Sequence, residues 1–429
     1  MILSPATASL CGLLILLIPL TLAGLTLMNS GLGRSRTAAH ALMGTLMVAG
    51  TAAIAYAVCG FAWQGVAGRP GYAFLVGGKQ WGWIGAERWF LLGLDSEGSP
   101  AILTACFGMF SASLAAAIPL SAGAERWRLA GMAASSAILA GWTYPLFAHW
   151  VWGGGWLAQM GSNYGLGTGV ADAGGSGTIQ AVGGLTALSV AWILGPRRGK
   201  YSNEGLPAAI PGHNTVFVLF GCFLTLIGWV ALNSAGAILF YGASVGRIAL
   251  VAINTMLAAG AALISTALIT RARFSKPDAS LSANGWVGGL VASSACAAFM
   301  SPAAALVVGL VAGALVPLCI EWLELRLGID DPGGTIVVHG ACGIWGLLAA
   351  GIVGRFPGGR ADQLSAQIVG IAALLGFVFP FTYAVNALLN RFIPFRVRPE
   401  GERQGMDLHE LGANAYPELA GHLEDFMQR

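Results

Sequence analysis

Apolar positions fall in long, nearly unbroken runs along the chain, without the short alternations of a half-buried strand, and short stretches rich in Gly, Pro and charge separate them. A helix needs about 20 mostly apolar residues to cross the hydrocarbon core of a bilayer. Runs of that kind lie near residues 6–28, 38–61, 101–121, 129–150, 174–195, 213–233, 243–270, 284–300, 302–320, 335–354 and 365–390. The pattern predicts an all-α membrane protein with eleven transmembrane helices. The first run lacks a basic n-region and is too long for a secretory signal, so it is expected to stay in the protein as a helix. Residues 62–100 interrupt the runs and predict an extended connection, with Trp63, Trp81, Trp83 and Trp89 as membrane-surface anchors. The domain division is a transmembrane domain over 1–395 and a charged tail over 396–429.

Composition agrees with this division. The chain has 429 residues, 56% hydrophobic and 10% charged, against about 25% charged in soluble domains. A net charge of only +3 gives no basis for a nucleic-acid partner. Cys11, Cys59, Cys106, Cys222, Cys296, Cys319 and Cys342 show no metal-ligand or redox spacing and read as small buried apolar residues, so neither metal nor cofactor is expected. An enzyme is disfavoured, because no set of nucleophile, base and orienting group stands out.

Basic residues orient the bundle. With the N-terminus outside, the cytoplasmic loops hold Arg34, Arg36, Arg126, Arg128, Arg197, Arg198, Lys200, Arg271, Arg273, Lys276 and Arg326. The tail adds Arg391, Arg396, Arg398, Arg403 and Arg429, which makes sixteen of the 22 Lys and Arg. The outer loops hold Arg69, Lys79, Arg88, Arg355 and Arg360, with Arg247 near a helix start. An odd helix count then places the C-terminus in the cytoplasm.

Two polar interruptions are related. Residues 172–184 read DAGGSGTIQAVGG and residues 331–343 read DPGGTIVVHGACG. Each has an acid, a Gly-Gly two positions later, and a polar side chain eight positions after the acid: Asp172 with Gln180, Asp331 with His339. They open the fifth and tenth runs, as an inverted repeat of helices 1–5 and 6–10 predicts, and such repeats place a transport path between the halves. Polar side chains in membrane helices face the bundle interior or an aqueous path. Gln180 and His339 are therefore path candidates, although each alone can be read as an interhelical hydrogen bond. Asp172 and Asp331 are expected first as helix caps.

Taken together, AHWVWGGGWLAQMG (148–161), the repeat, HGACGIWGLLAAGIVG (339–354) and GMDLHELGANAY (405–416) resemble the ammonium transporter family, which includes the Rh-type gas channels. Shorter stretches add to it: AERWRL (124–129), GWVALNSAG (228–236), INT (253–255) and SPAAALVVGLVAG (301–313). The resemblance implies a homotrimer in the plasma membrane with one pore per subunit, an outer aromatic vestibule that recruits ammonium, two gating phenylalanines, and two pore histidines past which the neutral amine moves. It maps Trp152 onto the vestibule tryptophan, Phe110 (or Phe107) onto the upper gate, Asp172 onto the acid beneath the vestibule and His339 onto the second pore histidine. It also exposes departures. Gln180 stands at the first histidine, Leu232 at the second gating phenylalanine, Gly236 at the vestibule serine and MNSG (28–31) at an aromatic-rich FYGG, while NYGLGTG lengthens the loop before Asp172. Glutamine neither titrates nor switches tautomer, so altered or weak proton coupling is expected. An Rh-like neutral gas channel and a poorly conducting ammonium sensor are the alternatives. The match at 405–416 implies a tail that couples subunits and meets a PII-type signal protein.

Overall fold

The computed structural model describes residues 3–68, 71–94, 99–357 and 359–417; Arg69 and Arg429, counted above, lie outside them. Among these residues, nine helices are long and apolar enough to cross a membrane: Pro5–Leu32, Ser35–Gln64, Pro100–Ala122, Ser176–Leu194, Thr215–Tyr241, Val245–Phe274, Pro302–Leu327, Ile336–Val353 and Arg360–Phe392. The remaining two predicted runs are also helical. One is a relay of α-helix Leu129–Ile138, a π-helical turn Leu139–Thr143 and α-helix Tyr144–Val151; the other is the short helix Ala279–Ser293.

Local chemistry sets the ends. Ser301 caps the 302–327 helix by accepting from the Ala304 amide, with Pro302 in the first turn. The run expected over 284–300 stops at Ser293, where the chain turns back and the Ser294 and Ala295 carbonyls accept from the Gly174 and Ala173 amides across the bundle. Helices meet at glycine. A Cβ on Gly24 would lie 2.6 Å from the Gly221 carbonyl oxygen, and one on Gly221 would lie 2.5 Å from that of Gly24. Without a hydrophobic drive between helices in lipid, such close approach is what holds them together.

The connection 62–100 corrects the all-α expectation. It contains an antiparallel hairpin, β1 Gly71–Val76 and β2 Lys79–Gly85, with Gly77 and Gly78 at positive φ in the turn. Trp83 of β2 packs on Trp150 at 4.9 Å, and the Trp150 indole donates to the Trp83 carbonyl (2.8 Å), so the hairpin sits on the bundle's end. Near the chain start of the inserted loop, Trp156–Tyr164 is a further short helix.

At the other end the tail folds back as two helical turns, Pro399–Gln404 and Asp407–Leu411. Asp407 accepts from the Ala39 and His40 amides (3.2 and 2.7 Å), satisfying free N–H groups at the start of the 38–55 helix, and Glu410 accepts from the Leu129 amide (2.8 Å). Beside it lies a buried ionic cluster. Arg197 reaches Asp330 (2.9 Å) and Glu125 (2.8 Å), Arg126 stands 3.7 Å from Asp330, and Arg34 pairs with Glu125. Burial works to raise the Asp330 carboxyl, but Arg197 and Arg126 hold it below the usual range. Burial pulls the Arg126 guanidinium down to about 10 against the opposing pull of Asp330, which leaves it charged at neutral pH.

Candidate functional site

The two related stretches fold alike. Gly175 and Gly334 take positive φ (86° and 68°), a conformation open to glycine, and each is followed by a π-helical turn, Ser176–Ala181 and Ile336–Ala341. Both acids cap these turns as expected. Asp172 Oδ2 accepts from the Gly177 and Thr178 amides (3.0 and 2.7 Å) and the Thr178 hydroxyl (2.8 Å); Asp331 Oδ2 accepts from the Ile336 amide (2.6 Å).

The turns cross each other reciprocally. A Cβ on Gly184 would come within 2.2 Å of the Gly340 nitrogen, and one on Gly343 within 3.0 Å of the Ala181 nitrogen. The spacing of 159 residues that separates Gln180 from His339 also maps 184 onto 343 and 181 onto 340. Each stretch thus presents to the other the position that it receives.

At the crossing, His339 Nδ1 lies 2.7 Å from Gln180 Oε1, and both side chains are buried. An amide oxygen only accepts, so Nδ1 donates and the neutral ring keeps Nε2 as an acceptor. The Gln180 Nε2 donor has no partner among the described residues. Trp229 stacks 6.3 Å from the His339 ring and is itself held by donating to Ser294 Oγ (2.9 Å).

Toward the hairpin end an aromatic group closes the space. Trp152 stacks flat on Phe240 (4.4 Å, 4°), and Phe107 meets both edge-on at 5.7 and 5.4 Å. The Trp152 indole donates to the Asp172 carbonyl (2.8 Å), and the Asp172 amide donates to the Tyr241 hydroxyl (2.8 Å), so the acid's backbone fixes both neighbours. A partly open cavity of about 190 Å3 lies beyond this group, lined by Gln64, Thr104, Trp152 and Phe240.

The sequence placed Phe110 ahead of Phe107. The structure puts Phe107 under Trp152, whereas Phe110, three residues on and so around the helix, is half-buried against the core away from the ring cluster. Phe240 and Trp229 were not singled out from sequence. Their spacing with Gly236 and Leu232 along the 215–241 helix gives one face that runs from the ring cluster to His339. Leu232 is fully buried on that face. Gly236 has a structural reason: a Cβ there would lie 2.1 Å from the Ala173 carbonyl oxygen. A backbone acceptor therefore stands where a serine would.

Aromatic mouth, paired polar side chains between crossed helices and an apolar surround define a polytopic membrane protein of the transporter class. The Ammonium Transporter Family profile matches residues 9–416, and the chain belongs to that family. The Amt2 ammonium transporter of Archaeoglobus fulgidus is 35% identical, covering 96% of this chain and 87% of that protein. The ammonium transporter of Bacillus subtilis is 30% identical, with 94% and 96% covered. A solved structure described as a sensor Amt protein superposes with TM-score 0.85 at 27% identity, covering 94% of this chain and 98% of that one. Candida albicans Mep2 shares the fold, with TM-score 0.78 at 22% identity over 92% of this chain and 87% of its own.

Proposed function

We propose that the protein recruits ammonium at the hairpin end and passes the neutral amine between Gln180 and His339, with little or no proton-coupled current. The observation that carries this reading is the 2.7 Å contact of these two side chains across the reciprocal crossing. Moving a bare charge to the bilayer centre costs at least about 2.5–3.5 kcal/mol, whereas a cation over a Trp face regains about 0.5–2 kcal/mol. Recruitment as a cation at Trp152 and passage as a neutral species avoids most of that cost. Phe107, packed against Trp152 and Phe240, is the upper gate, and Leu232 takes the position of the lower one. The hydrogen bond from His339 holds one tautomer, and Gln180 offers no second titrating site for a proton to hop to.

Around this path the reading includes eleven spans in two inverted halves, the hairpin end outside and the tail in the cytoplasm of a plasma-membrane homotrimer. The positive-inside count and family membership support it. The docked tail turns offer a surface to a PII-type signal protein.

Methylammonium uptake by proteoliposomes, read beside solid-supported-membrane electrophysiology, tests the proposal. Uptake without a pH-sensitive ammonium current is expected, and Gln180→His is expected to bring that current in. A robust current in the native protein overturns the weak coupling. The ring cluster closing the mouth favours a second reading, a poorly conducting sensor, and the likeness to the sensor Amt structure supports it. Saturable ammonium binding without uptake is its mark.

A further inference from the structure

Val170, Ala171 and Asp172 belong to no helix or strand, yet all three are buried. Backbone N–H and C=O groups out of water need partners, and two glutamines of the 360–392 helix supply them. Resting on the reading above, we propose that Gln367 is a positioning residue of the mouth: it sets the backbone beside Asp172, and through it the place at which Trp152 and the acid meet a cation.

Gln363 and Gln367 lie one turn apart on one helix face, and both are buried. Their duties differ. Gln363 serves the inserted loop: its Oε1 accepts from the Thr168 amide and hydroxyl (both 3.1 Å), and its Nε2 donates to the Gly169 carbonyl (2.8 Å). Gln367 serves the residue before the acid. Its Oε1 accepts from the Ala171 amide (2.8 Å) and its Nε2 donates to the Ala171 carbonyl (2.7 Å), the double exchange that a neighbouring strand would make. The same Nε2 donates to the Leu347 carbonyl (3.0 Å), on the helix that follows His339. One side chain thus ties the backbone before Asp172 to the helix after His339. Gly370 lets the helix come this close, since a Cβ there would lie 2.9 Å from Val170 Cγ2.

The Ala171–Asp172 peptide is held at both ends. Gln367 donates to its oxygen, and its N–H donates to the Tyr241 hydroxyl (2.8 Å). A peptide group is a rigid plane, so two such bonds fix its tilt. The next carbonyl, that of Asp172, accepts from the Trp152 indole (2.8 Å), and a turned peptide plane would carry that carbonyl and its ring partner with it. The insertion NYGLGTG makes this more pressing, because a longer loop has more conformations to lose before its end is placed.

Equilibrium binding of radiolabelled methylammonium to the purified full-length protein, read beside thermal unfolding, tests the role. Gln367→Leu leaves both Ala171 groups unpartnered and is expected to raise the Kd about ten-fold. Gln363→Leu removes as many bonds from the loop, so it is expected to lose similar thermal stability while keeping a native Kd. Native binding in Gln367→Leu, or equal weakening in the two variants, overturns the positioning role. Tyr241→Phe keeps the ring but withdraws the acceptor from the other end of the same peptide, and it is expected to raise the Kd several-fold. Should Gln367→Leu fail to fold, native binding in Tyr241→Phe overturns the role instead. A native protein that binds no methylammonium overturns the reading of the mouth and this role with it, whereas native binding that Gln367→Leu leaves unchanged overturns this role alone.

Discussion

The stretches 172–184 and 331–343 share a backbone and differ in what surrounds it. Both use an acid cap, a left-handed glycine and a π turn to project a polar side chain at the crossing. The first is anchored by rings: its acid's backbone bonds to Trp152 and Tyr241. The second is anchored by ions: Asp330, beside the cap, bonds to Arg197, whereas the position before Asp172 is Ala171. One device thus stands at two ends of the bundle, one packed with aromatic rings and one whose ions tie the helix start to the loops beside the tail. The side chains at the crossing differ, Gln180 and His339, while the backbone that presents them is alike.

The largest effect should come from the ionic anchor. Asp330→Ala leaves Arg197 and Arg126 buried without their main partner, and breaking such a pair costs about 3–5 kcal/mol. Thermal unfolding of the detergent-solubilised protein reads this; a shift no larger than that of an exposed surface substitution would break the contrast between the two ends. Next comes the crossing itself. Gly184→Ala and Gly343→Ala each push a methyl against backbone of the other stretch, and overpacking of that kind costs about 1–3 kcal/mol. The reciprocal geometry requires both variants to lose stability. A loss in only one would sink that reciprocity. The caps follow. Asp172 accepts from three donors and Asp331 from one, so Asp172→Ala should cost about 2 kcal/mol and Asp331→Ala nearer 1.

Much of this was legible in the chain, and the misses have physical reasons. Long apolar runs mark helices because lipid forces every backbone group to bond within its own segment, and each of the eleven runs holds a helix, although the one over 284–300 ends at Ser293. The hairpin was also written in GYAFLV and KQWGWIG around Gly-Gly, a turn signal between β-prone segments that the run-by-run reading passed over. The π turns leave no mark, since the same residues suit an α-helix. Phe107 and Phe110 are separated by less than one turn, and only packing decides which faces Trp152. Phe240 was within reach, one turn beyond Gly236 on the face that carries Leu232. Asp330 looked like a second cap. Its pairing with Arg197, 133 residues away, is a tertiary fact that no local pattern encodes.

The smallest effect sharpens the comparison at the ionic end, where the tail docks. Burial works to raise the Glu410 carboxyl, but hydrogen bonds from His40 and the Leu129 amide, with Arg128 nearby, hold it below the usual value. A carboxyl lowered in the folded state stabilises the docked tail above its unfolded pKa of about 4.3, and that contribution is lost as pH falls through the lower folded value. Through Glu410, docking should therefore weaken below about pH 4, by an amount near 1 kcal/mol for a part-exposed hydrogen-bonded carboxylate. Hydrogen exchange of the 399–411 amides across that pH reads the loss. Glu410→Gln keeps an oxygen for the Leu129 amide but removes the titrating group, so its exchange should be weaker in protection and lack the extra acid step. If the native step persists in Glu410→Gln, the acid step does not belong to Glu410 and the ionic account of tail docking fails.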